Sequence, residues 1–587
     1  MQTLPGMLAD ALKTPRERAF GERLGAPDWR YTSSTRMLDR AHGIAAAIRA
    51  AGIEGGQRIA LIANNRVDWL AADFGILFAG CVVVPTFATM ATDQIDYIFE
   101  DSETRLAFVE TAEIAARLKA ACPHAPRFVH FDGDGPDSLA TFEASGAMAA
   151  ADSSRIKSFY ENVNPDDLAV LMYTSGTTGT PKGVMLTHAN LVTDSYEAYK
   201  YGFSDILHDD PVISVLPFAH IYEHTDVLGF IQFGCSIHIT QPEFFLDDVR
   251  SVRPLTMGLV PRIYERVLAA VIAKAKADGG LKAELVPWAL GVGRDYMTAI
   301  ADGKNLSFLV KIKYAVAQRL ALSKIKPALG LDRVHVLVSG SAPLHRDIAL
   351  TFAGFGVPIC EGYGLTETSP VVSVNVQRSI RYGSVGKPIP TVSVKIADDG
   401  EILVKGPNVM KGYYHLPGEQ PFTTDGWFMT GDIGRLDADG YLYVTDRKKE
   451  LIKTSGGKFV APARVEAAIK RSIYVGQVFV LGDGRPHPIA LVAPNWELIR
   501  RDFSIGAEVA SEQIAARGDV CDFLQREVAA NTADLATFEQ VRKIAVLPRD
   551  LTIEAGELSP TLKVKRRVVE REFAALVDAA YAQASAA

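Results

Sequence analysis

The sequence predicts an α/β protein: a large N-terminal domain of layered α/β subdomains, a β-rich subdomain, and a small α+β C-terminal domain. Three observations predict it. Short apolar runs alternate with helical patterns from residue 58 onward. An Ala-, Leu- and Lys-rich helical stretch occupies about residues 265–330. After residue 381 the texture changes to short alternating strands separated by glycine turns.

Taken in order, Arg58-Ile59-Ala60-Leu61-Ile62 reads as a strand, 69–79 as a helix and Cys81-Val82-Val83-Val84-Pro85 as the next strand, a rhythm that implies parallel pairing. It recurs at 107–109, 168–172, 212–216, 236–239 and 334–338. The β-rich part contains Val392-Ser393-Val394-Lys395-Ile396, Glu401-Ile402-Leu403-Val404 and Tyr441-Leu442-Tyr443-Val444. The charged run Asp446-Arg447-Lys448-Lys449-Glu450 then marks a boundary, because a new strand–helix pattern starts at Leu451.

Composition sets the class. The chain has 587 residues, 48% of them hydrophobic and 22% charged, as in globular enzymes of more than one domain. A net charge of −7 gives no electrostatic case for nucleic-acid binding. Five cysteines without paired spacing (81, 122, 235, 360 and 521) fit neither a zinc site nor a disulfide framework and point to a reducing, cytoplasmic setting. No signal peptide and no bilayer-spanning run is predicted. Peripheral contact with the inner face of a membrane stays open.

The most informative stretch is Tyr173-Thr174-Ser175-Gly176-Thr177-Thr178-Gly179-Thr180-Pro181-Lys182-Gly183-Val184. It follows the apolar strand 168–172 and presents hydroxyls, glycine-freed backbone N–H groups and one lysine, the composition of a polyphosphate cradle. It is not a P-loop, which needs Gly-Lys-Ser/Thr opening a helix; here Lys182 is followed by Gly183 and a second apolar run. The alternative reading is a Gly/Thr surface hairpin.

Further polar clusters follow in fixed order: Ser339-Gly340-Ser341-Ala342-Pro343 after one apolar strand, Glu361-Gly362-Tyr363-Gly364-Leu365-Thr366-Glu367-Thr368 after the strand 357–360, and Thr430-Gly431-Asp432 after Trp427-Phe428. Loops at C-terminal strand ends are where ligands bind in open α/β sheets. With the 173–184 loop, this series resembles the AMP-forming acyl-adenylate/CoA ligase superfamily, from about residue 56 to 567. Leu216-Pro217-Phe218-Ala219-His220-Ile221-Tyr222-Glu223, Val260-Pro261-Arg262-Ile263-Tyr264-Glu265, the helical insertion and the segment 556–566 look most like long-chain fatty acyl-CoA synthetases.

The resemblance implies ATP, Mg²⁺ and CoA as cofactors or co-substrates, and two half-reactions: a fatty carboxylate attacks the α-phosphorus of ATP, then a thiol attacks the acyl-adenylate. Such chemistry asks the protein to position anions and neutralise charge. By resemblance, Thr174, Ser175, Gly176, Thr177, Thr178 and Lys182 hold the β- and γ-phosphates. Glu367 binds Mg²⁺, and Thr366 touches the α-phosphate. Gly340, Ser341, Ala342, Gly362 and Tyr363 form the adenine slot, and Glu361 and Gly364 of the same motif also count among the cofactor-binding residues. Asp432 and Arg447 take the ribose, and His220 stands between acyl and nucleotide sites. Lys563 matches the adenylation lysine, Lys449 the hinge, and Gly456 the glycine beside the pantetheine arm.

The implied division is 1–446 for the adenylation domain (β-rich part about 381–446), 447–450 for the hinge and 451–587 for a mobile lid. Each role has a plainer counterpart: core packing for Tyr363 and His220, turn chemistry for Asp432, a basic face for Lys563 beside Lys565 and Arg566. Two departures stand out: Ser341 where many relatives have glycine, and Phe459 where many have a polar residue. Three other functions compete with CoA ligation: loading of a carrier protein, a luciferase-like oxidation of the adenylate, and a degenerate binding protein.

Overall fold

A computed structural model describes residues 2–23, 28–150, 152–175, 180–202, 208–552, 554–558 and 564–585. The largest sheet has seven strands. From one edge they are Gly412–Tyr413, Pro181–Thr187, Leu168–Ser175, Val82–Thr86, Arg58–Ile62, Leu106–Val109 and Arg127–His130. The last five run parallel, with Ala60 facing Val84 on one side and Ala107 on the other. Their near-continuous apolar sequences are explained by burial on both faces. The helix Val67–Phe78 between two of them is almost wholly buried, so it too is apolar all round. The predicted strand–helix–strand unit is therefore present with parallel pairing.

A four-stranded sheet runs Arg30–Thr32, Phe20–Glu22, Ser236–Ile239, Pro211–Ser214. A five-stranded sheet runs Gly258–Leu259, Leu337–Ser339, Ile359–Gly364, Val371–Val374, Lys387–Pro388. The helical stretch comprises Pro261–Asp278, Leu281–Ala301, Phe308–Ala317, the π turn Gln318–Leu322 and Ser323–Ala328. Pro261 sits in the first turn, where its missing N–H costs nothing. Leu281–Ala301 packs on Arg346–Gly354 through facing glycines: a Cβ on Gly354 would lie 2.7 Å from the Gly293 carbonyl carbon. Tyr264 and Phe352 meet edge-on at 5.5 Å in the core beneath.

The β-rich region supplies Ser393–Ile396, Glu401–Lys405, Phe428–Leu436 and Leu442–Arg447. Beyond it, Val475–Leu481, Ile489–Pro494 and Ile544–Val546 form a three-stranded sheet covered by helices such as Pro462–Ile469 and Gly518–Thr532, with a core of Val465, Ile469, Val492 and Leu524. The chain divides into two compact units: residues 1–395, 403–429 and 436–443 in the first, and 396–402, 430–435 and 444–587 in the second.

Two clusters expected as loops are strands. Glu361–Gly364 belongs to Ile359–Gly364, because Ser339 pairs with Glu361 on one side and Gly362 with Val374 on the other. Thr430–Asp432 lies inside Phe428–Leu436. The expected strand at 334–338 is confined to Leu337–Ser339, and that at 212–216 ends at Ser214.

Candidate active site

The hairpin at 168–187 sets the first wall. Thr174 faces Lys182 and Ser175 faces Pro181 across an antiparallel pair. Gly176, Thr177 and Thr178 lie outside the described residues. After Lys182 the chain continues as a strand to Thr187, and a helix opens only at His188, in line with the sequence reading that this is not a P-loop. Gly183 is closely packed: a Cβ there would lie 3.0 Å from the Leu171 side chain and 3.2 Å from the Tyr173 ring.

Lys182 does not point at empty surface. Its ammonium lies over the Tyr413 ring, 5.3 Å from the centroid, and pairs with Glu419. Tyr413 stands on the edge strand opposite Val184, and its hydroxyl donates to Glu367 Oε1 at 2.8 Å. Burial and the Glu367 charge push the Tyr413 hydroxyl pKa up, so it remains a donor. Glu367 sits in the single turn Thr366–Thr368, fixed by the Met410 N–H donating to the Glu367 carbonyl at 2.8 Å. Lys182 and Glu367 are thus brought together by Tyr413, which the sequence reading did not single out, and neither did it name Glu419. No sequence signal pointed to Tyr413, because its place on the edge strand Gly412–Tyr413 comes from the tertiary pairing with Val184.

The second wall is built by the five-stranded sheet. Leu337–Ser339 delivers Gly340, where a Cβ would come within 3.0 Å of the Tyr222 ring. Ser341 has φ +67°, the left-handed region, which explains why glycine is the easier residue there. Tyr264 and Tyr222 hydroxyls both donate to the Val338 carbonyl, at 2.8 and 3.4 Å, and fix the strand that ends at this loop. Glu361 is buried and raised to about 7 by desolvation, against the opposing pull of the Leu344 and Gly383 backbone N–H groups. Gly362 and Tyr363 are half-buried. Gly364 has no alternative: a Cβ would fall 1.6 Å from the Pro370 carbonyl oxygen.

His220 caps the helix Ile221–Gln232, its Nδ1 accepting from the Tyr222 N–H at 3.2 Å. One turn on, Glu223 is buried and accepts from the Ser214 hydroxyl; desolvation and the neighbouring Asp226 keep it towards its protonated form.

In the second compact unit, Asp432 is buried and Arg447 Nε lies 3.2 Å from its Oδ1. The Thr430 hydroxyl accepts from the Asp432 N–H at 3.1 Å, and Glu401 Oε1 accepts from the Gly431 N–H at 2.8 Å. Lys448 Nζ bonds to Asp399 and Glu401 at 2.6 and 2.8 Å, while Glu450 pairs with Arg566 and Asp446 is buried and raised to about 6 by desolvation. The charged run 446–450 is therefore tied into the fold. Lys449 is exposed, as is Gly456 in the turn between Ile452–Lys453 and Phe459–Val460. Lys563 lies outside the described residues.

Among the described residues no group of three or more His, Cys, Asp or Glu could hold a metal ion. A single carboxylate suits Mg²⁺, which completes its shell with phosphate oxygens and water. Glu367, held by one hydrogen bond at one oxygen, fits that role.

A lysine and a carboxylate are held on one tyrosine, the lysine over its ring and the carboxylate on its hydroxyl. The chain belongs to the AMP-binding enzyme family: the family's model matches residues 9–414, and that of the AMP-binding enzyme C-terminal domain matches 449–585. It is an adenylating ligase that uses ATP and a carboxylic acid. Among its relatives are the long-chain-fatty-acid–CoA ligase FadD15 of Mycobacterium tuberculosis, 33% identical over 94% of this chain and 92% of the relative, and the peroxisomal long chain acyl-CoA synthetase 6 of Arabidopsis thaliana, 32% identical over 91% and 79%. The fold is shared with the adenylation domain of a Mycobacterium chelonae carboxylate reductase (TM-score 0.76, 23% identity, covering 99% of this chain and 91% of that one). It is shared too with ATP-bound MatB of Rhodopseudomonas palustris (TM-score 0.71, 24% identity, 97% and 99%).

Proposed function

We propose that this protein is a long-chain fatty acyl-CoA synthetase, converting a fatty acid, ATP and CoA into acyl-CoA, AMP and diphosphate through an acyl-adenylate. The observation that carries the reading is the 33% identity with a long-chain-fatty-acid–CoA ligase over 94% of this chain and 92% of that relative. The Lys182–Tyr413–Glu367 cluster supports the adenylation half.

In the first step a carboxylate oxygen bonds to the α-phosphorus and diphosphate leaves. Lys182, a point charge over an aromatic face, neutralises the departing phosphates without gripping them bidentately. Glu367 would hold Mg²⁺, which supplies charge neutralisation at the phosphate oxygens. Thr174, Ser175 and the 176–178 segment would donate to the same phosphates. Thr366 would touch the α-phosphate. Gly340, Ser341, Ala342 and 361–364 would receive adenine, and Asp432 with Arg447 the ribose. Lys563 would stabilise the transition state of this step by resemblance.

In the second step the CoA sulfur bonds to the acyl carbon and AMP leaves. Lys449 as hinge and Gly456 beside the pantetheine arm belong to this step, in a domain alternation that separates the two chemistries. The protein would work in the cytoplasm.

The test is a product assay by mass spectrometry with ATP, Mg²⁺ and CoA over acetate, octanoate, palmitate and an aromatic acid. Palmitoyl-CoA as the dominant product supports the reading; preference for acetate or the aromatic acid overturns it.

A further inference from the structure

One helix of the insertion has two unlike faces. Phe308–Ala317 and the π turn Gln318–Leu322 are fixed on their inner side, where Ala317, Ala321 and Leu322 are buried. Tyr314 stacks on Tyr296 at 3.8 Å and 3°, and the Tyr314 hydroxyl and Gln318 amide both donate to the Gly354 carbonyl, at 3.1 and 3.0 Å. The opposite side is apolar and exposed: Phe308 76%, Leu309 70%, Ile312 44%, Val316 42% and Leu320 45%. Steps of three and four residues put these side chains on one face. With Leu281, Trp288 and Ile300 of the preceding helix they make eight of the thirteen large apolar side chains left exposed among the described residues. Single exposed apolar residues are ordinary; a concentration of this kind marks an interaction surface.

Charge identifies the partner. From 303 to 331 the chain carries six Lys or Arg and no Asp or Glu, in a protein of net charge −7. Lys304 pairs with Asp302, and Lys326 donates to the Val334 and Gly356 carbonyls. Lys311, Lys313, Arg319 and Lys324 are exposed, and among the described residues none of the four is in an ion pair. A second copy of this chain would set these cations against their own kind. A nucleic acid would leave the aliphatic stripe uncovered. An anionic bilayer satisfies both features: the stripe enters the headgroup boundary while Lys and Arg side chains reach lipid phosphates.

We propose that the outer face of Phe308–Leu320 docks this protein on an anionic lipid surface. Among the described residues no helix is long and apolar enough to cross a membrane, and the proposed contact is one in which this helix lies on the surface. The docking holds whichever acid is activated. For a long-chain acid it brings the enzyme to the phase in which the acid dissolves.

The test is cosedimentation of the full chain with phosphatidylcholine vesicles, with and without about one-third phosphatidylserine. Wild type should bind the serine-lipid vesicles at least about tenfold more strongly than the neutral ones and be released by high salt. Leu309→Ser/Ile312→Ser/Val316→Ser should lose about tenfold or more of that binding, and Lys311→Glu/Lys313→Glu/Arg319→Glu should lose the preference for serine lipid. Both variants should keep vesicle-free activity on octanoate, since the changed residues are exposed. Failure of wild type to bind, or equal binding by the variants, overturns the proposal. So does a dimer, seen by light scattering, that the serine variant dissolves while vesicles bind neither form.

Discussion

The Tyr413 hydroxyl donates to Glu367 Oε1 at 2.8 Å, while the same ring carries the Lys182 ammonium 5.3 Å from its centroid. One side chain thereby sets the spacing between the carboxylate proposed to hold Mg²⁺ and the lysine proposed to hold phosphate, drawn from separate strands and turns. A hydrogen bond to a charged carboxylate is worth about 1.5–3 kcal/mol. Tyr413→Phe keeps the ring and should raise the Mg²⁺ concentration for half-maximal diphosphate release about tenfold. Tyr413→Leu should also raise KM for ATP. An unchanged Mg²⁺ dependence in Tyr413→Phe would remove Tyr413 from this role.

Metal binding should depend on nucleotide. Among the described residues no group of three or more His, Cys, Asp or Glu could cage a metal, so Mg²⁺ held by Glu367 would rely on phosphate oxygens. Calorimetric titration of Mg²⁺ into the ATP-free protein should give no saturable heat, and titration with a non-hydrolysable ATP analogue present should give one site. Tight binding without nucleotide would point to a different ligand set.

Gly364 should tolerate no side chain. A methyl group there would overlap the Pro370 carbonyl oxygen at 1.6 Å and displace the turn holding Thr366 and Glu367. Gly364→Ala should cost about 3 kcal/mol or more and abolish diphosphate release. A variant with wild-type melting temperature and activity contradicts the packing described.

Apolar runs made the sheet framework legible, since 59–62, 82–85 and 169–172 are buried strand segments made of apolar residues. Glycine-rich strand ends were legible too, because Gly183, Gly340 and Gly364 answer to local steric demands. Tyr413 and Glu419 were not. Their relation to Lys182 and Glu367 arises from an edge strand, Gly412–Tyr413, added to the hairpin from far along the chain, and no spacing encodes it. Nor did periodicity reveal that Thr430–Asp432 is strand, since Gly431 at φ +72° has the look of turn chemistry.

Glu361 should make stability depend on pH. Its pKa rises from an ordinary 4.5 to about 7 on burial, so the folded state holds its proton more tightly. The stabilisation from that proton is whole below about 4.5 and is lost as pH climbs through about 7. Glu361→Gln, always neutral, should melt with wild type near the acid end of this window and above it at mildly alkaline pH, by about 1–3 kcal/mol. A gap that widens towards acid would reverse the sign and contradict burial as the cause.

On this reading an acyl-adenylate forms before any thiol is involved. ATP–diphosphate exchange with palmitate, Mg²⁺ and no CoA measures that directly. Exchange should require the acid and be lost in Lys182→Ala and Glu367→Gln; exchange that is absent without CoA, or that persists without the acid, would rule out adenylation at this site.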